Sequence, residues 1–137
     1  MKNTFLPIVA APCILCAAAT AQDTHVSIAN EVLNMLSDTE ICLNLCRDEA
    51  SIKEVIPQLQ ELALYAAEIK ERQNKLADLT PEDDREVAKL IPQFLTLQKA
   101  IDAHINRLIA DNLLTPELAE VLHISPDYIP DSAPTTN

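Results

Sequence analysis

Residues 51–79 read SIKEVIPQLQELALYAAEIKERQNKLADL, and this stretch decides the fold. Ile52, Val55, Leu59, Leu62, Ala66, Ile69, Gln73 and Leu76 follow one another at alternating steps of three and four. That spacing is a heptad seam, with Ile52, Leu59, Ala66 and Gln73 at a and Val55, Leu62, Ile69 and Leu76 at d. A seam of this kind buries itself only against other helices, so its neighbours should supply matching stripes.

They do. Upstream, Ala29, Val32, Leu36, Thr39, Leu43 and Cys46 repeat the three–four alternation, which predicts a helix over about 23–46 capped by Asp23 or Thr24. Arg47 to Ala50 leaves room only for a turn, and Ser51 with Glu54 forms a capping-box pattern for the helix at 51–78. Downstream, Thr80-Pro81-Glu82-Asp83 starts a third helix, with an N1 proline and acids at the positive end of the dipole. Its stripe of Val87, Leu90, Phe94, Leu97, Ile101, His104 and Leu108 carries it to about 112, with a kink at Pro92 as at Pro57. Thr115-Pro116-Glu117 repeats the start signal for a short helix at 116–123.

The fold class is therefore all-α: an antiparallel up-down bundle of three long helices plus a short fourth. Folding the stripes about their turns places Cys46, Ile52 and Leu108 in one layer and Leu43, Val55 and His104 in the next. Ala66 then faces Phe94, and His25 with Gln73 forms a polar layer at the far end. In this arrangement the 51–78 helix is the central one. Glu49/Lys53, Glu68/Arg72 and Glu71/Lys75 stand at i,i+4 and dress its solvent face.

Composition narrows the function classes. The 137 residues have room for one domain and include no glycine, where an average chain of this length holds roughly ten. Dinucleotide-binding turns, P-loops and nucleophile elbows need backbone that only glycine tolerates, so those sites are excluded. Tyr65, Phe94 and Tyr128 are too few to build a base-stacking platform or an aromatic pocket. The formal charge of −11 repels phosphate backbones and anionic lipid, and no nucleic-acid partner is expected.

Residues 1–21 have the form of a cleaved secretory signal: Lys2, the apolar run from Phe5 to Ala19, then Ala19-Thr20-Ala21. Cleavage falls after Ala21 or after Ala19. Cys13 and Cys16 sit in the region of a lipidation site, but Pro12 and Leu15 precede them where a small residue is needed. No membrane span remains after cleavage, and the expected location is periplasmic or secreted. Residues 125–137, with three prolines, are expected to form a disordered tail, which leaves residues 22–124 for the bundle.

Among chemistry-bearing residues, Cys42 and Cys46 alone survive processing. An oxidising compartment favours a disulfide, whereas i,i+4 geometry on a regular helix holds the Cβ atoms too far apart. A local bridge, a bridge between two chains, and a small buried hydrophobe at Cys46 with a semi-exposed neighbour at Cys42 all stay open. His104, one layer away, would complete a Cys42, Cys46 and His104 metal set, with Asp111 or water as fourth ligand. The alternative for His104 is a seam histidine bonded to a neighbour. Glu82, Asp83, Asp84 and Glu86 read as dipole partners, and no nucleophile turn or oxyanion hole accompanies the serines, histidines and aspartates.

The leader, the helical layout and the stretch Asp48-Glu49-Ala50-Ser51-Ile52-Lys53-Glu54 resemble the periplasmic b-type cytochromes of the four-helix bundle class. That resemblance implies haem held by a methionine on the first helix and a histidine on the fourth. The matching methionine place here is Leu33, with Met35 close by, and His123 is the histidine available. The chain departs from the family at the methionine, and its fourth helix is too short to carry the histidine in the matching place unless His123 serves, so no cofactor is assigned. The reading is a non-catalytic helical interaction module that presents an acidic helical surface or self-associates through apolar flanks such as Ile56, Ile91 and Ile105. The rival is a small metal-, haem- or thiol-redox protein built on Cys42, Cys46 and His104.

Overall fold

A computed structural model describes residues 22–125. The proposed leader, with Cys13 and Cys16, and residues 126–137 of the proposed tail lie outside the described residues. The described chain is all-helical, with no strand, and contains five helices: α1 (His25–Leu45), α2 (Glu49–Gln73), α3 (Pro81–Ala88), α4 (Ile91–Ala110) and α5 (Pro116–Val121).

Each start has a local cause. Thr24 caps α1 in a reciprocal box with Ser27, and Thr80 does the same with Asp83 for α3. The α2 cap is Asp48, not Ser51. The Asp48 side chain accepts from the Ser51 N–H, and the Ser51 hydroxyl accepts from the Asp48 N–H, so Ser51 is the third helical residue. α2 also stops earlier than its apolar seam, at Gln73, and Asn74 to Leu76 continue only as turns.

The two prolines behave differently. Pro57 is carried inside α2, whereas the helix expected over 81–112 is interrupted at Lys89 and Leu90. Both joint residues stay in the right-handed region, and the Leu90 N–H bonds to Val87 in a tightened turn. Pro92 has no N–H, and its ring crowds the carbonyl four residues back. Around Pro57, buried Ile52, Val55, Ile56 and Leu59 hold the helix on both sides. α3 has no buried residue, so the chain before Pro92 lacks the buried side chains that flank Pro57.

The helix at the centre is α1, not α2. α1 packs against α2, α4 and α3, and α5 packs on α2, while α2 and α4 make no comparable backbone contact. Ala66 and Phe94, each half-buried, thus stand on helices that are not packed side by side. The core is concentrated at one end. Leu43, Cys46, Ile52, Leu108 and Leu118 are its fully buried side chains, joined by Val55, Ile56, Leu59 and Leu114. The Cys46, Ile52 and Leu108 layer lies within this cluster. α5 closes the end as a plug, with Leu118 and Ala119 buried. Asn112 and His123 turn the chain at positive φ, 54° and 55°, just beyond α4 and α5.

Candidate functional site

Four places contain the candidate functional side chains, beginning with the cysteines. Both sit on the last turn of α1, Cys42 inside it and Cys46 at its C-cap, and both are buried free thiols. Cys46 Sγ contacts the Cys42 carbonyl oxygen at 3.4 Å, and Cys42 Sγ lies 3.6 Å from Gln58 Oε1. Burial pushes both thiols above their ordinary pKa, reinforced at Cys42 by the Asp38 carboxylate and at Cys46 by Cys42. A thiol in that state is a poor nucleophile.

His104 does not join them. Its Nε2 lies 2.9 Å from Glu40 Oε1, pairing α4 with α1. Among the described residues, no three histidine, cysteine or carboxylate side chains converge as a metal-holding group. The residue that does reach the cysteine turn is Arg107. Its Nη1 donates to the Cys46 carbonyl at 2.9 Å and its Nη2 to the Leu43 carbonyl at 3.0 Å. α1 has no basic residue in its last turn, so Arg107 supplies from α4 the positive charge that a helix C-terminus favours.

At the opposite end, Arg72 is the hub of a polar cluster. It donates to Asp23 through Nε at 2.9 Å and Nη2 at 2.6 Å, and to Glu31 through Nη1 at 2.7 Å and Nη2 at 2.8 Å. Tyr65 O–H donates to Glu31 Oε2 at 2.7 Å. These bonds from Arg72 hold both carboxyls below their ordinary range, and the bond to Glu31 pushes the Tyr65 phenol up. Arg72 thus reaches across to the start of α1 and not along α2 to Glu68. His25 lies at this end as expected, but its Nε2 meets the Ala77 carbonyl at 2.8 Å, and Gln73 is exposed.

The remaining place is apolar surface. Of the flanks expected to be left over, Ile56 is buried and Ile105 packs on the core, so only Ile91 stands out in solvent. The exposed large side chains are instead Ile41 and Leu45 on α1, Leu64 on α2, Leu79, and Ile91 with Leu95 on α4. Leu64 is the most open of these, at 73%. It stands in a groove of about 490 Å³ between α2 and α5, beside Ala63, Ala67 and Val121, with Glu117 and Glu120 on the α5 side. A sequence signal for it existed: Gln60, Ala63, Leu64 and Ala67 stand at i, i+3, i+4 and i+7, a second stripe beside the heptad seam.

Among the described residues no helix is long and apolar enough to cross a membrane. Comparison with protein-family models, curated proteins and solved structures finds no match for this chain.

Proposed function

We propose that this protein is a secreted or periplasmic, non-catalytic helical module, an antiparallel up-down bundle that acts by binding another protein or a second copy of itself. One observation carries the reading: Leu64, 73% exposed, lines a groove together with Ala63 and Ala67 on a strongly acidic chain. Single exposed apolar residues are ordinary, but one set in a concave apolar stripe is the usual signature of an interface. Export rests on the leader-like pattern of residues 1–21. The metal, haem or thiol-redox alternative has less support, because His104 pairs with Glu40 and both thiols are buried with raised pKa values.

Photo-crosslinking tests the proposal. A photoreactive side chain placed at Ile41, Leu64 or Leu95 in the exporting cell should give discrete adducts from at least one position, and none from exposed Gln98. Absence of adducts from all three apolar positions overturns the reading. The same cells report export directly, through the mass of the processed chain.

A further inference from the structure

We propose that the groove between α2 and α5 receives a short basic amphipathic helix, one whose apolar ridge is flanked by lysine or arginine. This rests on the interaction-module reading and names the partner's chemistry.

The shape of the groove follows from the brevity of α5. That helix has six residues and rises only about 9 Å, so it covers part of the α2 stripe and leaves the rest open. On the open part, Ala63 and Ala67 are small enough for another backbone to come close, while Leu64 projects as a knob. Val121 closes the α5 side with a second apolar contact. The pattern suits a helix of two or three turns laid alongside α2, with anchors at i and i+3 or i+4. Burying Leu64 would remove its large exposed apolar area from water, which is the main driving term for such an interface.

Charge selects the occupant. Glu117 and Glu120 are exposed carboxylates on the groove, Gln60 is neutral, and neither lysine nor arginine lines it; His123 is the remaining lining side chain. A second copy of this chain would bring its own carboxylates and a net charge of −11 to the same place. Anionic lipid is repelled for the same reason. A helix with cations on either side of its apolar ridge meets the apolar floor and the acidic wall together, and opposite potentials also speed encounter.

The test uses the purified protein and three synthetic 14-residue peptides: a leucine/lysine peptide with leucines at helical i, i+3 and i+4 spacing, an alanine/lysine peptide of equal charge, and a leucine/glutamate peptide. The leucine/lysine peptide should bind about tenfold or more tightly than either control. Its amide shift changes should centre on Ala63, Ala67, Glu120 and Val121. Leu64→Ser should weaken that binding by about tenfold, and Glu117→Gln with Glu120→Gln should reduce its salt dependence. Equal affinity for the alanine/lysine peptide, indifference to Leu64→Ser, or shift changes centred elsewhere would each overturn the groove assignment. Crosslinks from Ile41 or Leu95 alone, without leucine/lysine binding at Leu64, would sink this inference and leave the interaction reading standing. No crosslink from any apolar position sinks both.

Discussion

Arg107 and Cys46, 61 positions apart, are joined by a hydrogen bond from the guanidinium to the main-chain carbonyl that ends α1. With the second bond to Leu43, the fork closes the last turn of one helix with a side chain from another. Arg107 Nε is buried without a hydrogen-bond partner, so the guanidinium is held by its two terminal nitrogens. The two carbonyls belong to Leu43 and Cys46, whose side chains are fully buried, and Leu108, next to Arg107 in the chain, is fully buried as well. Helix capping and core closure are therefore one structural event at this end.

Arg107→Met should destabilise the fold by about 2 kcal/mol, because hydrogen bonds to charged groups stabilise more than neutral ones and two carbonyls lose their donor. Arg107→Lys should recover only part of the loss, since an ammonium lacks the planar fork that spans both oxygens. Urea denaturation monitored by circular dichroism measures this. Equal stability of wild type and Arg107→Met would refute the capping role.

The Arg72 cluster gives a pH prediction with a definite sign. The folded-state pKa values of Asp23 and Glu31 lie below their ordinary values because Arg72 hydrogen-bonds both carboxylates. A group lowered on folding contributes stability that is complete above its unfolded pKa and lost as pH falls through its folded one. Thermal stability should thus decline as pH drops below about 4, the ordinary carboxylate range. Arg72→Met should lower Tm at neutral pH by about 5 °C and make the acid slope shallower. An unchanged slope in Arg72→Met would assign the acid sensitivity elsewhere, with the capping carboxylates Asp48 and Asp83, also held low, as the next candidates.

How much of this was legible in the chain depends on distance along it. Helical class, the turn after α1 and the three Thr-Pro or Thr-polar starts follow from local patterns, because caps and stripes involve residues within one or two turns. The break at Pro92 was not legible. A proline's effect depends on whether neighbouring packing holds both sides, and that distinguishes Pro92 from Pro57 only in three dimensions. The regularity of the 51–79 seam pointed to the wrong centre for a related reason. Periodicity reports how clean one face is, whereas α1 is central because it meets three neighbours. Arg72 shows the same limit. Glu68 stands four residues away and looks like its partner, yet the partners used are 41 and 49 positions off.

α5 was expected as a short fourth helix, and its packing makes it a plug with a measurable load. Leu118 is fully buried among Leu108, Leu114 and Ala119 in the core cluster. Leu118→Ala should cost about 2–5 kcal/mol, the range for removing a buried leucine side chain and leaving a cavity. Leu64→Ala, also on apolar surface but exposed, should change stability by no more than about 0.5 kcal/mol. Similar losses for the two would contradict the asymmetry between plug and groove.

The thiols supply the last prediction, and it bears on export as well as on redox chemistry. Cys42 and Cys46 are buried free thiols with raised pKa values, so at pH 8 each has a smaller thiolate fraction than an ordinary cysteine and little access to reagent. Reaction of the folded protein with an aromatic disulfide reagent should be at least about tenfold slower than after denaturation, because attack waits on opening of the α1 turn. Denatured protein should then titrate two thiols if residues 1–21 are gone, and four if they are retained and reduced, since the full chain has four cysteines. No titratable thiol after denaturation would mean that the chain had bridged Cys42 to Cys46 or to a second copy, and the mass of the non-reduced species separates those two outcomes. Rapid labelling of the folded chain would instead show that the cysteine end opens readily. That would be incompatible with the Arg107 fork and the α5 plug as the firm end of the molecule.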